Sequence, residues 1–163
     1  MENYIVINGK KAELTPEQLK ALGLEREIKN PFERKRTQRY YAIGVDGRLD
    51  TYIDDHDQAD DTFYAVANYC TDREMMQQRA LHETLNRLLW RYSMEHGGSE
   101  IDWNNHKEKS SIVYDHCTKN WSVSVGVSIQ YIGAPYFATR KTAYDALAKI
   151  VEPFMAEHPD FKF

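Results

Sequence analysis

Five aspartates and one histidine fall within residues 54–61, and this is the densest group of potential ligands in the chain. The aspartates are Asp54, Asp55, Asp57, Asp60 and Asp61. Carboxylate oxygens suit Ca²⁺ or Mg²⁺, but an EF-hand needs glycine at its sixth position and glutamate at its twelfth, and neither is present here. We therefore predict an exposed, solvated loop without a metal, whose carboxylates bind a basic partner. A divalent-metal-dependent hydrolase is the alternative.

A basic segment precedes this acidic one, and it mixes guanidinium groups with aromatic rings. Its members are Arg34, Lys35, Arg36, Arg39, Tyr40 and Tyr41. Arginine beside tyrosine is typical of surfaces that stack and neutralise single-stranded nucleic acid. The formal net charge of -4 argues against an extensive phosphate-binding face. A small nucleic-acid-binding module therefore stands as a second interpretation.

A third candidate lies on a predicted helix. His82 and Glu83 begin a sequence like the zinc motif H-E-x-x-H, but Asn86 occupies the place of the second histidine. The zinc interpretation therefore fails. One polar helical stripe still contains Arg79, His82, Glu83, Asn86 and Trp90. We expect Trp90 to pack under a neighbouring strand and the other four to be solvated; a site beside an aromatic anchor is the alternative.

Motifs for covalent catalysis are missing from the sequence. No serine lies in a G-x-S-x-G elbow, and neither Cys70 nor Cys117 belongs to a nucleophile motif. Two cysteines in a chain without a signal peptide favour free thiols over a disulfide framework. We predict no catalytic residue, no cofactor and no bound metal.

The secondary-structure pattern alternates hairpins with helices. Asn8-Gly9 and Asp46-Gly47 are turn dipeptides between β-prone runs. The predicted strands cover residues 4–7, 10–14, 38–43, 49–53, 112–117, 121–130 and 135–137. In the sixth strand, Trp121 and every second residue through Ile129 are apolar, so one face should be buried. Residues 16–22 should form a short helix, because Thr15 and Gln18 make a capping box around Pro16.

The longest predicted element is a helix over residues 72–96. Thr71 and Glu74 form its predicted capping box, leucines recur on one face, and Gly97 follows its end. A second helix should begin after Thr139 and end or kink at Pro153. Together these elements predict an α+β fold, with mostly antiparallel hairpins packed on one long central helix between a short N-terminal and a C-terminal helix.

Length and composition indicate one globular domain. The chain has 163 residues, 42% hydrophobic and 28% charged, which is enough to bury a core. We therefore expect a single domain over residues 1–163. Neither a signal peptide nor an apolar run long enough to cross a membrane is present, so we expect a cytoplasmic location and no membrane partner.

Several stretches resemble a known group of sequences. They are residues 7–10 leading into 14–19, residues 30–34, residues 67–72 with 82–90, and residues 153–155 with 157–161. The chain resembles uncharacterised small proteins of phages, prophages and mobile elements of Gram-positive, often gut-dwelling, bacteria. The resemblance implies a genomic setting in which small proteins often act in host takeover or counter-defence, including anti-CRISPR inhibition.

These observations give a first hypothesis for function. We predict a non-enzymatic phage or mobile-element protein that inhibits a host defence factor by protein–protein contact. Its partner would be a defence protein or ribonucleoprotein in the cytoplasm of the bacterial host. The protein itself would be a monomer or a homodimer.

Overall fold

A computed structural model describes residues 30–162 and, before them, residues 4–7, 10–13, 15 and 18. The chain divides into two compact units, Met1–Glu33 and Arg34–Phe163. The single domain over residues 1–163 stays a prediction. In the first unit, β1 (Tyr4–Ile7) pairs antiparallel with β2 (Lys10–Glu13), so the predicted hairpin is confirmed.

The predicted capping box of the first unit is present at its two described positions. The backbone N–H of Thr15 donates to Gln18 Oε1 (2.9 Å), and the backbone N–H of Gln18 donates to Thr15 Oγ1 (3.3 Å). Apart from Gln18, the predicted helix over residues 16–22 lies outside the described residues.

The second unit begins with the predicted hairpin of β3 (Arg39–Ile43) and β4 (Leu49–Ile53). Gly47 in the connecting turn has φ +82°, a left-handed conformation that glycine adopts without steric cost. A Cβ atom at Gly47 would lie 3.0 Å from Thr84 Oγ1, so the turn packs closely on the long helix.

Residues 54–61 are not the exposed loop that their charge predicts. A helix, α1 (Gln58–Ala65), begins within them, and Asp57 and Asp60 form its capping box. Asp54 and Asp60 are buried, so the prediction of full exposure is wrong for both. The physical reason is internal: each carboxylate meets donors from the folded chain, as described below.

The long helix α2 (Arg73–Glu95) confirms the predicted element to within a residue at each end. Its N-cap is Asp72, whose side chain accepts from the Met75 N–H, so the prediction of Thr71 as the cap is wrong by one position. His96 is the C-cap, and a short 3₁₀ helix, Gly98–Glu100, follows it.

The third hairpin consists of β5 (Lys109–Asp115) and β6 (Asn120–Gly126), paired antiparallel. β6 ends at Gly126, earlier than its alternating pattern predicts. The next apolar residues of that pattern, Val127 and Ile129, are exposed. The predicted strand at residues 135–137 is reduced to a single bridge between Ser110 and Phe137.

A continuous helical segment completes the unit. Thr139 caps α3 (Arg140–Ala146) as predicted, a π-helical turn (Leu147–Val151) follows, and α4 (Glu152–Glu157) continues from it. The helix therefore runs through Pro153. The π-helical turn lies just before this residue, which has no N–H to donate.

Helix α2 contributes to two apolar clusters. One face packs Leu85 and Leu89 with Phe137 and Phe154, and the half-buried Trp121 lies against this cluster. Nearer its N-terminus, the second cluster consists of Ile43, Cys70, Met76 and Ala80. The fold is therefore α+β, built from two-stranded antiparallel hairpins and helices. Along the described residues, no helix combines the length and apolar character that crossing a bilayer requires.

Candidate functional site

Asp54 is the centre of a buried polar network. It follows β4 directly, and its side chain has no exposed area. Arg34 donates to both carboxylate oxygens of Asp54, from Nε to Oδ2 and from Nη2 to Oδ1, and each of these hydrogen bonds is 2.8 Å long. This two-point geometry fixes a guanidinium against a carboxylate more firmly than a single contact would. Arg34 also donates from Nη1 to Asp61 Oδ1 (2.7 Å).

Two further residues complete the surroundings of Asp54. The Tyr69 hydroxyl donates to Oδ2 (3.0 Å), and the backbone N–H of His56 donates to Oδ1 (3.1 Å). His56 Nδ1 also lies 2.9 Å from that oxygen. The bonds from Arg34 outweigh burial and, with those from Tyr69 and His56, hold the pKa of Asp54 well below its usual range.

Asp60 is the second buried carboxylate of this region. The Tyr40 hydroxyl donates to Oδ1 (2.7 Å), and the backbone N–H groups of Asp55 (2.8 Å) and Asp57 (3.3 Å) donate to Oδ2. Burial opposes ionisation of Asp60, but these donors more than compensate, so its pKa lies below its usual value. Burial and the bond to Asp60 together raise the pKa of Tyr40.

Stacked aromatic rings surround the two carboxylates. The ring of Tyr40 stacks on that of Tyr69 (4.2 Å between centroids) and on that of Tyr52 (5.3 Å). The guanidinium carbon of Arg34 lies 5.3 Å from the ring centroid of Tyr64. The basic and acidic segments therefore bind each other inside one structural unit.

The outcome for the predicted partner-binding and nucleic-acid-binding residues is mixed. Of the acidic set, Asp54 and Asp60 are buried. Asp61 pairs with Arg34 and Asp57 caps α1, but both of these side chains are exposed, as is that of Asp55. Of the basic aromatic set, Arg34 and Tyr40 belong to the network and Tyr41 is half-buried; Lys35, Arg36 and Arg39 are exposed. Among the described residues, no group of three or more His, Cys, Asp or Glu side chains is arranged to hold a metal ion.

The polar stripe of α2 is tied to other segments. Arg79 donates to Glu83 Oε1 (2.8 Å) and to the Ala67 carbonyl. His82 Nε2 lies 3.0 Å from the Lys162 carbonyl oxygen. His82 and Asn86 are exposed, and Arg79 and Glu83 are half-buried. The stripe also fastens α2 to the loop before it and to the C-terminal residues.

Trp90 departs from the expectation of burial under a strand, since 59% of its surface is exposed. Two cavities flank it on the helix. The first has a volume of about 440 Å³ and is also lined by Val45, Arg87 and Arg91. The second, of about 140 Å³, lies between Trp90 and the loop of residues 130–135. The tryptophan therefore projects between two depressions of the surface.

Other exposed apolar side chains belong to the same elements. Val45 is fully exposed in the turn that packs on α2. In the loop of residues 130–135, Tyr131 and Ile132 are exposed, and Asn86 Nδ2 holds this loop to α2 through the Gly133 carbonyl (2.9 Å). We call the group formed by Val45, Trp90, Tyr131 and Ile132 the Trp90 surface.

Sequence reasoning placed Trp90 on the polar stripe but missed the surface around it. The available signal was its position: a tryptophan on the face of α2 away from the leucines has no core to enter. No such signal exists for Val45, because only the folded turn brings it to the helix.

Comparison with known proteins yields no relative: no protein-family model, no curated protein and no solved structure matches the chain. The candidate site therefore stands on its own geometry.

Proposed function

We propose that the protein is a non-enzymatic binding protein that acts by contact with another protein through the Trp90 surface. The observation that carries this proposal is the exposure of Trp90 between two cavities on a rigid helix. Tryptophan is enriched among the residues that dominate protein–protein binding energy. Contiguous exposed apolar patches commonly mark interaction sites, and Val45 lines the same cavity as Trp90.

Charge at the rim of the Trp90 surface indicates the chemistry of the partner. Arg87 and Arg91 line the larger cavity beside Trp90, and both are exposed. Arg91 forms no ion pair or hydrogen bond within the described part of the chain. We therefore expect a partner that inserts an apolar side chain beside Trp90 and places carboxylates near the two arginines.

The internal pairing of the acidic segment supports this choice of surface. Residues 54–61 offer a partner fewer free carboxylates than their sequence suggests, because Asp54 and Asp60 are buried and accept hydrogen bonds from Arg34 and Tyr40. Asp55, Asp57 and Asp61 are exposed, although Asp61 pairs with Arg34. Two of the five carboxylates are therefore unavailable to a partner.

The target class comes from the resemblance to phage and mobile-element proteins. We propose a host defence protein or ribonucleoprotein as the partner, inhibited by occupation of one of its surfaces. The two alternatives have less support. A nucleic-acid-binding module would use Arg34 and Tyr40, but both are hydrogen-bonded within the buried network. A metal-dependent hydrolase would use Asp54 and Asp60, which accept those same hydrogen bonds.

The proposal is tested by affinity capture from the lysate of a Gram-positive host that carries defence systems. Wild type, Trp90→Ala and a matched surface variant, Lys119→Ala, are compared with and without nuclease. The expected result is a stoichiometric, nuclease-resistant protein that wild type and Lys119→Ala retain and Trp90→Ala loses. Recovery that is equal for all three, or that disappears with nuclease, would overturn the proposal.

A further inference from the structure

A cleft of about 360 Å³ lies between α2 and the third hairpin, and it shares Ala134 and Pro135 with the smaller cavity beside Trp90. Its helix side includes His82, Glu83 and Asn86, and its hairpin side includes Ile112 and Trp121. The volume is within the range of sites that bind small molecules. Apolar walls with a few polar groups are also typical of such sites.

The polar side of this cleft offers hydrogen-bond acceptors. Asn86 Nδ2 donates one of its two N–H groups to the Gly133 carbonyl, and Oδ1 is left to accept. Glu83 accepts from Arg79 at Oε1, and within the described residues its Oε2 has no partner. The Lys162 carbonyl oxygen lies 3.0 Å from His82 Nε2, and since a carbonyl can only accept, Nε2 is the donor of this contact.

The apolar side of the cleft adds a preference for an apolar body. Leu85 and Leu89 are buried at the boundary of the main core, and the half-buried Trp121 lines the cleft with them. Aliphatic and indole side chains pack well against apolar and aromatic groups. Acceptors on one side therefore favour a positively charged donor, and the apolar side favours the body that carries it.

We propose that this cleft binds an organic amine: a compact apolar or aromatic body that carries a protonated amino group. The body packs against Trp121 and Leu89, and the amino group donates to Glu83 and Asn86. The proposed ligand differs from the protein partner of the Trp90 surface, although Ala134 and Pro135 line both this cleft and the smaller cavity beside Trp90.

Calorimetric titration of the full chain with tryptamine tests the site, with indole-3-acetate as a probe of similar shape and opposite charge. Tryptamine should bind at millimolar concentration, and indole-3-acetate should bind at least about tenfold more weakly, a difference of about 1.4 kcal/mol. Glu83→Gln should weaken tryptamine binding at least about fivefold, which corresponds to about 1 kcal/mol. Glu95→Gln, which removes an exposed carboxylate elsewhere on α2, should leave it unchanged.

Chemical-shift mapping provides a second measurement that needs no variant. Tryptamine should shift the Trp121 indole N–H resonance more than those of Trp90 and Trp103. No binding at millimolar tryptamine, equal affinity for the two probes, or a larger shift at Trp90 would each overturn the proposal.

Discussion

The network around Asp54 and the Trp90 surface differ in which kind of side chain is buried and which is exposed. At Asp54 a carboxylate is fully buried and three side chains and a backbone N–H meet it. At Trp90, by contrast, a large aromatic side chain is mostly exposed. The buried charge is matched by donors within the fold, whereas a large apolar side chain lies at the surface. Variants that affect one region and spare the other sharpen this comparison.

The largest effect should come from Asp54→Asn. The substitution removes the charge that faces Arg34 and disrupts the two-point contact, so it should lower the free energy of unfolding by about 3 kcal/mol. Urea unfolding at neutral pH measures the change. Asp55→Asn, at the exposed neighbouring carboxylate, is the matched control and should change stability by less than about 0.5 kcal/mol. Equal stability of the two variants would contradict a structural role for the network.

The same network should make stability depend on pH in acid. The folded-state pKa values of Asp54 and Asp60 lie below their usual values, because hydrogen bonds from Arg34 and Tyr40 favour the carboxylate forms. The two carboxylates contribute fully to the free energy of unfolding at pH values above their pKa in the unfolded chain, about 3.9. This contribution is lost as the pH falls toward their lower pKa values in the folded protein, since the unfolded chain then binds more protons. Urea unfolding from pH 7 to pH 3 should show this loss, with a shallower slope in Asp54→Asn. Parallel slopes would exclude Asp54 as a source.

A smaller effect is expected at the turn that carries Val45. Gly47→Ala places a Cβ atom at φ +82° and 3.0 Å from Thr84 Oγ1, so it should destabilise the protein by about 1–2 kcal/mol. Gly126→Ala is the control, because its Cβ would find its nearest neighbour at 3.8 Å. Thermal melting of both variants checks the difference. A Gly47 variant as stable as the Gly126 variant would show that the turn does not pack on α2 as described.

The smallest change in stability should follow Trp90→Ala. Because the side chain is mostly exposed, we expect the free energy of unfolding to change by less than about 0.5 kcal/mol. Urea unfolding beside wild type measures it. A loss as large as that of Asp54→Asn would mean that Trp90 supports the fold rather than a binding surface.

Local patterns in the sequence predicted much of the fold. The Asp46-Gly47 turn, the Thr139 cap and the leucine spacing of α2 each depend on neighbours along the chain, and the structure confirms all three. The burial of Asp54 was not predictable in this way. Its partners Arg34 and Tyr69 are 20 and 15 residues away, so a run of aspartates looked solvated until tertiary contacts supplied donors.

The candidate site shows the same limit. The position of Trp90 on the polar face of α2 was visible from helical spacing, but its exposure was not, because exposure depends on which other segments cover the helix. Nor could spacing show that the turn at Val45 and the loop of residues 130–135 meet the helix around it. Non-local packing determined both features.

The most direct test compares the two regions in one calorimetric titration with the captured protein partner. Wild type, Trp90→Ala and the double variant Asp55→Asn/Asp57→Asn are titrated under the same conditions. We predict that Trp90→Ala weakens binding by about 2 kcal/mol or more, as loss of a dominant interface residue does, and that the double variant binds like wild type. A double variant that loses affinity while Trp90→Ala keeps it would contradict the assignment of binding to the Trp90 surface.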